Sequence, residues 1–264
     1  MKAKKSLEGI VSWSTYITAL ILQIATWFLL YPLAGYNDIT VNIASGSYLV
    51  LGLGLVLGCR LGWQRTGMGW DKLLKALPVA GLTYAFFLLL GLLLRGLGLD
   101  VAVLRDQYNL YALASNWVLT GLGEELVFAG IILTLTIARL NGGRRWLAII
   151  IVASMFAVWH LPGYFAIGMH AGNIGISIFF RLMLNFLSWV VFGTIYLLSR
   201  NLWLTAIAHA STDYALLPML IDVPILGLAF MMTLAGLGWF IENYRGYKNV
   251  GERASGVGLS PTGK

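Results

Sequence analysis

Gly121-Leu-Gly-Glu-Glu-Leu-Val-Phe-Ala-Gly130 sets two adjacent carboxylates, Glu124 and Glu125, in the middle of an otherwise apolar run from about residue 112 to 139. A charged side chain at the centre of a bilayer costs roughly 2.5–3.5 kcal/mol even on the lenient insertion scale. A chain tolerates that cost when the group faces water or another polar group, and most often because it does chemistry. The same situation recurs twice: at His160, and at His209 with Asp213, each inside a further apolar run.

Composition supports the membrane reading. The chain of 264 residues is 59% hydrophobic and only 11% charged, against about 25% charged in soluble domains. One water-soluble core could not hide that much apolar surface, so an integral membrane protein is expected. The net charge of +7 does not point to nucleic acid. The Lys and Arg residues fall in short gaps between apolar runs, which is the pattern of topology signals rather than of a basic stripe. Cys59 is the single cysteine, which excludes an intrachain disulfide and a cysteine-based zinc site. The first apolar stretch is long and lacks a small-x-small exit, so no cleavable signal peptide is expected.

Eight candidate spans follow, at about 12–35, 40–59, 76–98, 112–139, 146–168, 174–198, 202–219 and 223–243, each near the roughly 20 residues a bilayer requires. Pro162 and Pro218 fall near the ends of the fifth and the seventh. Lys2, Lys4 and Lys5 precede the first span; Arg60, Arg65, Lys72 and Lys75 fill the second loop; Arg139, Arg144 and Arg145 the fourth; Arg200 the sixth; Arg245, Lys248 and Arg253 follow the last. In the third loop Arg95 and Arg105 are offset by Asp100 and Asp106. This alternation predicts an all-α polytopic bundle of about eight transmembrane helices with both termini cytoplasmic. Residues 1–245 read as a single transmembrane domain, and 246–264 as a loose polar tail.

The polar positions define a candidate site. Adjacent helical residues point about 100° apart, so Glu124 and Glu125 cannot share a face. One can serve a catalytic centre while the other bonds to a neighbouring helix. A carboxylate withdrawn from water suits a general base near neutral pH. His160 closes Phe156-Ala-Val-Trp-His160, whose ends lie on one face at i,i+4. His209 and Asp213 share that spacing, which suits a shared metal, an oriented imidazole or a polarising pair around a reacting carbonyl. Together these groups can activate a water for attack on an amide. With a metal, zinc first among candidates, the ligands would be Glu124, His160 and His209. Without one, Glu124 and His160 activate the water while His209 and Asp213 stabilise the tetrahedral intermediate. Both arrangements stay open at this level. His170 reads as a loop residue outside the membrane. Arg181, with Asn185 one turn on, needs a carboxylate or water as partner. The tryptophans Trp13, Trp27, Trp117, Trp146, Trp159, Trp189, Trp203 and Trp239 read as interfacial or packing residues. Gly52, Gly54 and Gly58 read as permitting close helix approach.

Order and spacing of these residues resemble the CAAX-protease and bacteriocin-processing family of intramembrane proteases, also called the Abi family. Its motifs are Glu-Glu-x-x-x-Arg, Phe-x-x-x-His and His-x-x-x-Asn or Asp. Here they read Glu124-Glu125-Leu-Val-Phe-Ala129, Phe156-Ala-Val-Trp-His160 and His209-Ala-Ser-Thr-Asp213. Phe192-Gly193 and Arg200-Asn-Leu-Trp203 approach the last motif as is common in that family. The resemblance covers about residues 112–219. It implies Glu124 as the catalytic carboxylate, His160 beside it on the water or metal, His209 and Asp213 completing the centre, and Glu125 in support. One position departs: the motif arginine is Ala129, which leaves Glu125 without its expected partner. Arg181 is the candidate replacement.

The expected function is an intramembrane endopeptidase of the bacterial cytoplasmic membrane. Its partners are the lipid bilayer and a membrane-embedded or membrane-associated peptide or protein substrate, with no nucleic acid. The resemblance suggests peptide processing or bacteriocin self-immunity as its setting. A non-catalytic scaffold or regulator on the same fold is the alternative that Ala129 favours. A small proton-coupled transporter is a third, for which an inverted hydropathy repeat would argue; none is found.

Overall fold

The computed structural model describes residues 2–34, 38–58, 62–140, 144–171 and 176–255, without the side chains of 2–10, 34, 38–41, 167–171, 176–177 and 245–255. Cys59, Arg60 and residues 256–264, and the side chains of Lys2, Lys4, Lys5, His170, Arg245, Lys248 and Arg253, lie outside the described residues. The described chain is predominantly helical, with no strand among the described residues.

The helices are α1 (Lys2–Ala25, carried on by a π-wound turn at Thr26–Leu30 to Ala34), α2 (Asp38–Gly58), α3 (Trp70–Gly96) and α4 (Leu110–Arg139). There follow α5 (Arg145–Trp159), α6 (Leu161–Ala171), α7 (Ile176–Ser199), α8 (Leu202–Asp213), α9 (Met219–Asp222) and α10 (Pro224–Ser255). Among the described residues six stretches are long and apolar enough to cross a membrane: Val11–Leu33, Trp70–Gly96, Leu110–Arg139, Arg145–Ala166, Ile178–Ser199 and Pro224–Tyr244. One of the eight expected spans differs, the seventh. The second is the 21-residue helix α2, of which Asn42–Gly58 is described with its side chains and is apolar. The seventh is only 12 residues long, about 18 Å at 1.5 Å per residue and well short of a bilayer core. It stops because Tyr214 turns out of the helix at φ −145° and Pro218 begins the next short one. α10 continues past the expected start of the tail to Ser255.

Apolar residues point both ways. Leu82, Phe86, Leu89 and Leu93 form an exposed stripe along α3, the pattern of a helix facing lipid. The packed centre belongs to α4, whose residues Leu126 to Leu133 are all buried. Phe128 meets Phe156 edge-on with centroids 5.0 Å apart, and Trp159 at 5.3 Å. The Trp159 indole N–H donates to the Ala19 carbonyl at 3.0 Å and ties α5 to α1.

One end of the bundle gathers the basic residues. Lys72 and Lys75 on α3 reach Glu242 on α10 at 2.6 and 3.0 Å, and the Leu202 amide donates to the Gly67 carbonyl across two loops. Trp70 and Trp146 are exposed at helix starts and Trp13 and Trp239 are exposed within α1 and α10, while Trp159 and Trp189 are core. Of Gly52, Gly54 and Gly58 in α2 only Gly52 permits close approach, since a Cβ there would sit 2.8 Å from Leu126; Gly54 and Gly58 face open space.

Candidate active site

α4 is not a regular α-helix where the acidic pair sits. It winds as a π-helix over Ser115–Leu122 and again over Leu126–Leu133, with Gly123–Glu125 as the α turn between them. Wide turns of this kind recur at functional sites. Two glycines bring neighbours close at the same level. A Cβ on Gly121 would stand 3.0 Å from the Ala206 carbonyl and the Ala210 methyl of α8, and one on Gly123 would stand 3.2 Å from Ser45 and Leu49 of α2. The carboxylates are thereby gripped between α2 and α8.

The two glutamates divide as their angular separation predicts. Glu125 is fully buried, and its Oε1 accepts a hydrogen bond from His209 Nδ1–H at 2.8 Å. Glu124, 6% exposed, turns to a cavity of about 190 Å³ that it shares with His160. Both carboxylates keep one oxygen, Oε2, buried with no hydrogen-bond partner among the described residues. Such orphaned acceptors are costly, and they are what a bound water or a substrate N–H would satisfy.

His160 Nδ1 lies 3.0 Å from the Phe156 carbonyl. A carbonyl only accepts, so Nδ1 carries the proton and Nε2 of the neutral ring is left as an acceptor. The i,i+4 face read from the sequence is therefore a physical contact, with the two rings 4.5 Å apart. His209 is stacked on Phe192 at 4.8 Å and 16°. Its Nε2 stands 3.5 Å from Asp213 Oδ2 and 3.9 Å from Glu124 Oε2. Asp213 is the most open member, with its side chain 33% exposed. The structure thus brings Glu124, Glu125, His209 and Asp213 into one cluster and sets His160 on the cavity side of Glu124.

One expectation changes here. Arg181 does not replace the motif arginine. It is exposed on α7, with its guanidinium 5.6 Å above the Tyr164 ring, while the partner of Glu125 is His209. Asn185 joins Arg181 on Tyr164, donating to its hydroxyl at 2.7 Å. Ala129 itself is fully buried. For a metal, among the described residues no three His, Cys, Asp or Glu side chains form a group placed to hold an ion. The donors as they stand do not fit one.

The sequence reading missed the far wall of the cavity. Gln23 and Thr26 come from α1 and its extension, Ser45 and Tyr48 from α2, Asn116 and Thr120 from the first half of α4. Tyr48 O–H donates to Gln23 Oε1, and both side chains are buried. Amide and hydroxyl groups in apolar spans were the available signal, since polar side chains at membrane depth mark cavities.

Residues 106–215, which hold every residue of this cluster, match the family model described as type II CAAX prenyl endopeptidase Rce1-like. No curated protein and no solved structure matches the chain. Over residues 106–215, which carry the acidic pair, the two histidines and the aspartate, the chain is similar to the Rce1-like protease family, within the wider CAAX-protease and bacteriocin-processing group.

Proposed function

We propose that this chain is an intramembrane endopeptidase that hydrolyses a peptide bond of a membrane-embedded or membrane-associated substrate by way of an activated water. The observation that carries the reading is the orphaned Glu124 carboxylate facing a cavity shared with His160, backed by a histidine that Glu125 holds in place. Glu124 accepts one proton of the water and His160 Nε2 accepts a hydrogen bond from the other. The water oxygen attacks the carbonyl carbon, and the carbonyl π pair moves to its oxygen. His209 as imidazolium, its Nδ1–H held by Glu125, donates from Nε2 to that oxyanion, with Asp213 beside it. Collapse breaks the C–N bond, and Glu124 returns its proton to the leaving amine. We place this activity in the bacterial cytoplasmic membrane, in peptide processing or bacteriocin self-immunity.

One observation favours a second reading, a non-catalytic scaffold on the same fold. Ala129 stands where the family has arginine, and Glu125 Oε2 is unpaired among the described residues. Quantitative membrane peptidomics on cells carrying the native chain or Glu124→Gln at matched abundance separates the two. The protease reading expects uncleaved precursors to accumulate in the variant. Identical peptide profiles from folded protein would support the scaffold.

A further inference from the structure

Polar side chains run along the seam between α2 and α4 from one end of the bundle to Glu124. At the start of α4, opposite the basic end, Tyr111 is 54% exposed. Its hydroxyl accepts from Asn42 Nδ2, and Asn42 Oδ1 accepts from the Ser115 hydroxyl. Further in, the Thr120 hydroxyl donates to Ser45 Oγ at 3.0 Å. Asn116 Nδ2 donates to the Ala112 carbonyl at 2.8 Å, which leaves its Oδ1 without a partner among the described residues. Ser45, Asn116 and Thr120 line the cavity of about 190 Å³ into which Glu124 turns. The orphaned Glu124 Oε2 is the inner end of the row. Exposure falls along it, from Tyr111 through half-buried Asn42, Ser115 and Thr120 to buried Ser45 and Glu124.

The winding of α4 makes the row. Ser115 and Glu124 are nine residues apart, and at about 100° per residue an α-helix would set them on opposite faces. Over Ser115–Leu122 the chain is π-wound, and its i→i+5 turns hold more residues than α turns. Ser115, Thr120 and Glu124 therefore come round together: the first bonds to Asn42 of α2, the second to Ser45 of α2, and the third shares a cavity with Ser45. Beyond Glu124 the seam is apolar and tight. Leu126–Leu133 are all buried. A Cβ on Gly123 would stand 3.2 Å from Ser45 and Leu49, and one on Gly52 would stand 2.8 Å from Leu126. The row is open toward Tyr111 and shut toward the basic end.

We propose that this seam is the water inlet of the site, a track of hydroxyl and carboxamide groups that hands water from the Tyr111 end to Glu124. Its purpose rests on the proposed hydrolysis, which consumes a water at each turnover at a depth where the bilayer supplies none. Side chains that exchange hydrogen bonds with a passing water lower the cost of carrying it through an apolar bundle. Asp213, with its side chain 33% exposed, is the competing entrance, but neither it nor His209 lines the Glu124 cavity.

The test reads water whether or not the chain cleaves, so the inlet can fail while the protease reading stands, and the reverse. It uses the purified full chain in phosphatidylcholine nanodiscs, with the single cysteine replaced as Cys59→Ser and new ones placed singly as Thr120→Cys or Ile131→Cys. A small charged methanethiosulfonate attacks only the thiolate, which forms in contact with water, and labelling is followed by intact mass. Thr120→Cys should label at least roughly a hundredfold faster than Ile131→Cys, whose buried thiol stays protonated. Adding Ser115→Leu, or Asn42→Leu from the facing helix, should slow labelling at Thr120→Cys roughly tenfold, the loss of one hydrogen-bonding station on the route. A thermal midpoint close to the parent's identifies the folded blocked chains. Thr120→Cys as inert as Ile131→Cys would overturn the inlet. An unchanged rate in a folded blocked chain would overturn it too, and would bring the water in past Asp213.

Discussion

Glu125→Gln tests the division of labour between the two carboxylates. The substitution keeps volume and an acceptor oxygen for His209 Nδ1–H, now 2.8 Å from Oε1, and removes only the charge. Hydrogen bonds to charged groups contribute about 1.5–3 kcal/mol, against about 0.5–1.5 kcal/mol for neutral ones. The difference, about 1–2 kcal/mol, falls on the imidazolium's hydrogen bond to the oxyanion, and the oxyanion exists only as the reaction proceeds. It corresponds to a fall of roughly 5–30-fold in kcat. Glu125 does not line the Glu124 cavity, so KM should hold. The assay is cleavage of the precursor that accumulates with Glu124→Gln, by protein reconstituted in liposomes, with a thermal melt to confirm folding. A kcat within about twofold of wild type, in a folded variant, would refute the claim that Glu125 acts through His209. A rise in KM at constant kcat would place Glu125 in substrate binding instead.

Dialysis against a strong chelator should leave cleavage unchanged, because the described residues present no three-donor group; loss of activity restored by zinc would overturn the water-only mechanism. Arg181→Ala should alter stability by less than about 1 kcal/mol, the worth of one exposed cation–π contact, and leave cleavage intact; inactivation of the folded variant would restore Arg181 as a partner of the site. Gly121→Leu forces a side chain against the Ala206 carbonyl and Ala210 methyl at 3.0 Å and should cost about 1–3 kcal/mol of overpacking, visible as a lowered melting midpoint in detergent. Glu242→Gln leaves Lys72, whose side chain is 10% exposed, short of its counter-charge; because Glu242 is 30% exposed, the cost should be about 1–2 kcal/mol after solvent screening, and a midpoint equal to wild type would contradict the pairing.

The acidic pair, the histidines and the aspartate were legible because ionisable groups in apolar runs stand out against their background, and because i,i+4 spacing survives into the structure at Phe156 and His160. That Glu124 and Glu125 would part company followed from helix geometry alone. What escaped was of two kinds. Hydropathy measures how apolar a stretch is but not whether it faces lipid or a neighbour. The run 202–219 therefore read as a span, although only Leu202–Asp213 is helical and most of it is buried among other helices. The partner of Glu125 escaped because a motif gap at Ala129 invites a search for a replacement arginine, whereas the structure fills the role with a histidine already counted. Gln23, Tyr48 and Asn116 escaped because neutral polar groups are weak signals beside charges.

The wide turns on either side of Gly123–Glu125 bear on how the chain tolerates length changes. A π turn holds more residues than an α turn and can give one up while remaining helical. Deleting one residue within Ser115–Leu122 can therefore be absorbed by tightening the winding towards α, keeping the helix beyond it near its present rotation, whereas the same deletion in a regular α-helix would turn everything beyond by about 100°. Single-residue gaps among related sequences in this stretch are thus compatible with a Glu124 that still faces the cavity.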